Sequence, residues 1–357
     1  MFGLVGLKSQ INEFIGNKRK FSVEYNSFPQ KQDNCTQLFT ALFEFRLVSS
    51  IITPLLSEHQ ATISMTPKGK LIVIGGAVDT GSFTEKDYKD DIEKNLNFFE
   101  RGILKRIITE SAHGTDSRIE IIPTASQIPK DVGNEYVKAF SYLGAHNADV
   151  LAIDNREGAN DPENCARLQA ADVVVFTGGD QLRLTSILGG TEFHTILLRK
   201  YREEEFLLAG TSAGAAACSN NMIYQGSSSE ALLKGEVKIT SGLGLINDLI
   251  IDTHFVHRGR IGRLFQAVVS NPRVLGVGLG EDTGLLIKDG EAMEALGSGL
   301  VILVDGRQIR DTNITDVSLG SPISIENLVV HVMSMNDEYH LATHKMQIRK
   351  SHHIIGD

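Results

Sequence analysis

The chain has 357 residues, 41% of them hydrophobic and 22% charged, with a formal charge of −9 at neutral pH. That is enough apolar material for a sizeable core, and too acidic a balance for an extended nucleic-acid footprint. Three cysteines, Cys35, Cys165 and Cys218, show neither metal-ligand spacing nor a paired framework, so a reducing, cytoplasmic setting is expected.

The N-terminus, Met1-Phe2-Gly3-Leu4-Val5-Gly6-Leu7-Lys8, lacks a basic start followed by a sustained apolar stretch and does not read as a secretory signal. The run over 38–56 is apolar but interrupted by Glu44 and Arg46, and charges at the centre of a span are costly in lipid, so no membrane helix is expected there. Residues 1–64 lack the strand–turn–helix grammar that begins at Lys70 and read as a weakly structured or accessory extension, with a helical subdomain as the alternative. A catalytic domain is expected over 65–357, starting at Met65-Thr66-Pro67-Lys68-Gly69-Lys70.

From Lys70 onward, short apolar runs (71–74, 119–122, 150–153, 173–176, 206–209, 249–251 and 274–279) alternate with helical candidates (86–99, 131–143, 162–170, 181–188, 192–202, 213–220 and 261–270). Near-continuous apolar strands separated by helices predict an α/β fold: a mostly parallel central sheet with helices on both faces. The stretch from Thr283 to about Gln347 is richer in β-branched runs and turns, and is expected to add antiparallel strands to one edge.

In an open α/β sheet, ligands bind beyond the carboxyl ends of the strands. The run at 206–209 leads into Gly210-Thr211-Ser212-Ala213-Gly214, a G-x-S-x-G pattern in which a sharp strand-to-helix turn exposes the serine oxygen. The run at 249–251 leads into Asp252-Thr253-His254, and that at 274–279 into Gly280-Glu281-Asp282. A serine, a histidine and a carboxylate at three strand ends are what nucleophilic hydrolysis needs. Ser212 attacks, His254 moves its proton, and Glu281 or Asp282 orients the histidine; His257 competes for the base. The order Ser…His…Glu differs from the Ser…Asp/Glu…His order of α/β-hydrolases.

The run at 173–176 leads into Gly178-Gly179-Asp180-Gln181. The N–H groups of Gly178, Gly179 and Ala213 are candidates for an oxyanion hole. Arg258, Arg260 and Arg263 follow His254 closely and point to substrate carboxylates, while Asp180 or Asp252 can hold a cationic group. Gly75-Gly76 stands without a third spaced glycine and no G-x-x-x-x-G-K pattern occurs, so nucleotide binding has little support.

Gly178-Gly179-Asp180-Gln181-Leu182, Gly210-Thr211-Ser212-Ala213-Gly214-Ala215, Asp252-Thr253-His254-Phe255 with Arg258, Arg260 and Arg263, and Gly280-Glu281-Asp282-Thr283 together resemble the cyanophycinase family, over about residues 66–332. Cyanophycinases resemble dipeptidase E, with a class I glutamine-amidotransferase-like sandwich. The resemblance implies a serine-type exopeptidase that releases β-aspartyl-arginine dipeptides from cyanophycin, a polyaspartate with arginine on each β-carboxyl. It places the nucleophile on Ser212, the histidine on His254 and the glutamate on Glu281. It places substrate binding on Gln181, Asp252, Arg258, Arg260 and Arg263, and implies a homodimer with no metal or cofactor. The family often has glutamine where this chain has Thr253, which shortens the pocket wall and keeps open an aspartyl or isoaspartyl dipeptidase; an inactive amidotransferase-like binding module is a further alternative, against which the intact Ser212, His254 and Glu281 set argues.

Overall fold

The structure, a computed structural model, describes residues 66–78 and 102–350. The extension expected over residues 1–64 and the helix expected over residues 86–99 lie outside the described residues.

Side-chain alternation decides the layering. Strand β1 (Lys70–Ile74) puts Leu71 and Val73 into one buried cluster and Ile72 and Ile74 into another. A strand apolar on both faces needs cover on both sides. It lies in a nine-stranded sheet whose parallel half also holds β2 (Ile119–Ile122), β3 (Ala148–Val150), β4 (Val173–Phe176) and β5 (Leu207–Thr211), in the order β1-β5-β4-β2-β3. One face is covered by α1 (Ile103–Glu110) and α2 (Pro129–Tyr142), through Ile103, Leu104, Ile107, Ala139 and Phe140. The other meets α3 (Pro162–Ala170), α4 (Gln181–Leu188), α5 (Glu192–Glu203) and α6 (Ala213–Ala217). Side chains of Asp161, Asp180 and Thr191 accept the first free N–H groups of α3, α4 and α5, which fixes where those helices begin. Helix α1 is not among the expected ones; its apolar residues span only two turns.

The remaining strands revise the expected sheet. β6 (Asn221–Gln225) and β7 (Lys238–Ser241) pair as an antiparallel ribbon. β8 (Leu249–Asp252) and β9 (Leu275–Leu279) are parallel, but they do not join the central sheet. After β10 (Thr283–Lys288) and β11 (Ala292–Gly297) come β12 (Val301–Asp305), β13 (Asp311–Thr312), β14 (Ile325–Glu326), β15 (Val329–Met333), β16 (Glu338–His340) and β17 (Lys345–Gln347). A second, four-stranded sheet runs β15-β12-β9-β8. Leu249, Ile251, Val277 and Leu279 share a cluster with Leu71 and Val73, so this sheet packs on the α3–α6 side of the first. Ile250 turns the other way, toward Leu264 and Val268 of α7 (Ile261–Ser270). A parallel strand apolar on both faces reads alike in either sheet, and hydrophobic period did not separate the two cases.

The expected antiparallel additions divide likewise. β10 pairs with β1 and carries β11, β16 and β17 outward from it, while β12 and β15 go to the second sheet. Among the described residues, no helix is long and apolar enough to cross a membrane.

Glu110, at the end of α1, ties three elements together. It accepts hydrogen bonds from Lys70 of β1 at 2.9 Å and Lys288 of β10 at 3.0 Å. Burial pushes its carboxyl up, but the hydrogen bonds and charges of Lys70 and Lys288 outweigh that and hold it down to about 2. A carboxyl depressed on folding stabilises the native state above its unfolded value, and that stability disappears as pH falls through the folded value. Glu110→Gln is therefore expected to cost roughly 1–3 kcal/mol at neutral pH. It should also flatten the loss of stability between about pH 4.5 and 2, as urea unfolding of both proteins across that range would measure.

Candidate active site

Strand β5 ends at Thr211, and Ser212 turns the chain into α6 with φ 50° and ψ −109°. A non-glycine residue in this region is strained and persists only where its surroundings dictate it. Here the surroundings are tight. A Cβ on Gly210 would lie 2.6 Å from the backbone of Gly214, and one on Gly214 would lie 2.6 Å from the carbonyl oxygen of Phe176. The two glycines let α6 cross directly over β5 and β4, and the turn between them pushes Ser212 out. Its N–H donates to the Ile74 carbonyl at 2.8 Å.

His254 follows β8 with φ 49°. Its N–H donates to the Gly75 carbonyl at 2.8 Å, and the next N–H, of the fully buried Phe255, donates to Leu279 at 3.0 Å. The imidazole bridges two partners. Nε2 is 3.1 Å from Ser212 Oγ, and Nδ1 is 2.9 Å from Glu281 Oε1. With the ring proton on Nδ1, Nε2 accepts the Ser212 hydroxyl. Of the two neighbouring carboxylates, Glu281 reaches His254, whereas Asp282 accepts from Ser298 Oγ at 2.7 Å. The competing His257 is 75% exposed, with Nδ1 3.6 Å from Glu281 Oε2. The hydrogen bond from His254 holds the Glu281 carboxyl below its ordinary value against a smaller opposing effect of burial, with further help from the charges of His257 and Arg258.

Gly178 and Gly179 join β4 to α4 beside the serine; a Cβ on Gly178 would lie 3.4 Å from Ser212 Cβ. Among the described residues, neither glycine N–H has a backbone acceptor. Ala213 opens α6, where the first N–H groups of a helix lack internal partners. Among the described residues, no group of three or more His, Cys, Asp or Glu could hold a metal ion.

A family model described as peptidase family S51 matches residues 97–295, a stretch that contains Ser212, His254 and Glu281. Two curated relatives agree: a cyanophycinase of Trichormus variabilis, 36% identical over 77% of this chain and 86% of that one, and a cyanophycinase of Synechococcus elongatus, 38% identical over 67% and 74%. The chain belongs to peptidase family S51. It is a serine-type peptidase with a mixed α/β fold. A solved peptidase from an acI-B1 actinobacterium superposes with TM-score 0.52 at 21% identity, covering 69% of this chain and 94% of that one, and supports the fold.

For an S51 peptidase, the arginine cluster holds a correction. Asp252 is 2% exposed and faces two guanidiniums. Arg263 Nε and Nη2 grip its two oxygens at 3.0 and 2.8 Å, and Arg260 Nη1 lies 3.3 Å from Oδ1. Burial raises the Asp252 carboxyl above its ordinary value, and the charges of Arg263 and Arg260 offset only part of that rise. With both oxygens engaged, Asp252 does not hold a substrate cation as expected. Arg263 is buried too, and its remaining contact is the Gly226 carbonyl. These two residues brace the loops around the site. Arg260 also donates to the buried Thr253 carbonyl at 2.8 Å and is only partly enclosed; Arg258 is exposed. One carboxylate against two arginines leaves a surplus positive charge next to His254. Asp180 caps α4, and Gln181 Nε2 donates to Ile223 of β6 at 3.0 Å, so each has one structural bond already.

Sequence reasoning missed the end of β1. The Gly75-Gly76 pair, weighed only as a weak nucleotide signal, accepts the backbone of the His254 and Asp282 loops. It also missed Gln266, which is buried on α7 and holds the segment 231–235 through Ala231, Leu233 and Gly235. A doubled glycine at a strand end is a signal of close approach as well as of phosphate binding.

The brace has a measurable consequence. Asp252→Ala leaves Arg263 enclosed without its counter-charge and is expected to cost about 3–5 kcal/mol. Arg258→Ala, at an exposed position, is expected to stay within about 0.5 kcal/mol of the parent. Denaturant unfolding of both variants checks the contrast; equal small losses would show that Asp252 is not bracing anything.

Proposed function

We propose that this S51 peptidase hydrolyses cyanophycin, the substrate its curated relatives are named for, and releases β-aspartyl-arginine dipeptides through Ser212, His254 and Glu281. The observation that carries the chemistry is the continuous relay from Ser212 Oγ through His254 to Glu281, at 3.1 and 2.9 Å. His254 Nε2 removes the Ser212 proton as Oγ attacks the carbonyl carbon. The oxyanion that forms is held by N–H groups of Gly178, Gly179 and Ala213, each such donor contributing a few kcal/mol in the transition state. His254 then returns the proton to the leaving amine, an acyl-enzyme ester remains on Ser212, and water releases it by the same steps. Glu281 stays ionised throughout; it fixes which nitrogen carries the proton and stabilises the imidazolium.

The substrate offers carboxylates and guanidiniums. Surplus positive charge from Arg260, with Arg258 at the surface, suits the carboxylates. Asp180, exposed beyond its capping role, and Gln181 are the groups assigned to the arginine side chain. Asp252, Thr253 and Arg263 support the pocket from behind. The fold assigned to this domain, residues 65–357, is the glutamine-amidotransferase-like sandwich, with serine in the place of the cysteine nucleophile.

Purified protein and a Ser212→Ala variant, incubated with insoluble cyanophycin and with short aspartyl peptides, test the proposal. The parent is expected to release β-aspartyl-arginine, and Ser212→Ala to be at least about 10³-fold slower. Cleavage confined to dipeptides would move the assignment to an aspartyl dipeptidase. Binding without hydrolysis would make the protein a binding module.

A further inference from the structure

We propose that Gly76 is a positioning residue for the general base, a side-chain-free floor on which the His254 imidazole lies; the proposal rests on the Ser212–His254–Glu281 reading. Two directions of the ring are fixed by hydrogen bonds, one at each nitrogen. Both bonds need the ring in one place, and the missing side chain of Gly76 leaves that place open. A Cβ there would stand 2.3 Å from His254 Cε1, 2.5 Å from Nε2 and 3.0 Å from Nδ1, so the residue faces the ring along the edge that includes the reacting nitrogen.

What must move decides the role. The Gly76 carbonyl is held by the Asp282 N–H at 2.9 Å, and Gly75 is held by the His254 N–H at 2.8 Å and donates to Thr283 at 2.8 Å. The backbone is therefore pinned on both sides, whereas the ring is the far end of a side chain. The ring gives way, by about 1 Å to reach ordinary contact, and a displacement of that size in a reacting group costs about 100-fold in rate. Gly75 is different in kind. Its Cβ would stand 1.9 Å from the Gly280 carbonyl oxygen and 2.6 Å from that of Leu279, both backbone atoms. A side chain at Gly75 would separate the strand ends of the two sheets, while the nearest atoms met by one at Gly76 are those of the base. Gly76 also has φ 112°, so backbone strain has to be separated from the clash.

The experiment compares Gly76→Ala, His254→Ala, the double variant and Ser212→Ala on short aspartyl-arginine oligomers. The strain at φ 112° is common to both backgrounds, so comparing Gly76→Ala in the parent with Gly76→Ala in His254→Ala separates it from the clash with the ring. Gly76→Ala is expected to lower kcat about 100-fold with KM within about threefold. Its residual rate should lose the acid limb of the pH profile and rise with hydroxide. In the His254→Ala background the added methyl meets no ring, so the double variant should be no slower than His254→Ala and should fold better than Gly76→Ala alone, keeping only the backbone strain. Equal losses from Gly76→Ala in both backgrounds, or kcat kept within about threefold in the parent, would overturn the role of Gly76. Undiminished activity of Ser212→Ala would instead overturn the triad on which it rests.

Discussion

Three consecutive carbonyls at the end of β1 register the whole site. Ile74 accepts the N–H of Ser212, Gly75 that of His254, and Gly76 that of Asp282, the residue after Glu281. Ser212 is delivered by the central sheet, and His254 and Glu281 by the second. Two sheets that meet at one strand end need a shared ruler, and successive peptide units provide it at a fixed spacing. Ser212, His254 and Asp282 all have positive φ, as residues do where a loop is bent to fit an external constraint rather than its own preference.

The charges sort into two kinds. Asp252, Arg263 and part of Arg260 are enclosed and bonded to one another, where truncating one partner is costly and replacing the set is not. They hold the loops behind His254 rigid. Glu281 is partly open, with His254 on one oxygen and His257 nearer the other, and stays ionised without deep burial. In the proposed triad the carboxylate needs only to orient and balance the imidazole, a role open to a group at the rim of the site.

Much of this was legible in the residues. The G-x-S-x-G elbow, the histidine after one strand and the glutamate after another are local patterns whose strand-end placement follows from chain order. The helix starts at Asp161, Asp180 and Thr191 are equally local. What could not be read was which sheet a strand joins: β8 is apolar on both faces, as a central strand would be, and only packing against Leu71 and Val73 on one side and α7 on the other places it. The arginines misled for a related reason. Arg260 and Arg263 look alike at i,i+3, yet both pair with the buried Asp252, Arg263 enclosed and Arg260 partly exposed, and the Gly226 carbonyl that completes the Arg263 site comes from elsewhere in the chain. Gly75-Gly76 was visible but ambiguous, because a glycine pair permits close approach without naming what approaches.

The central claim is that Ser212, activated by His254, is the atom that bonds to substrate. Peptide mapping by mass spectrometry after treatment with a serine-directed fluorophosphonate tests it most directly. The account predicts one adduct per chain, on the peptide containing Ser212, abolished in His254→Ala and slowed by short aspartyl-arginine oligomers. An adduct on another residue with parallel loss of hydrolysis, or full hydrolysis with Ser212 quantitatively modified, would contradict it.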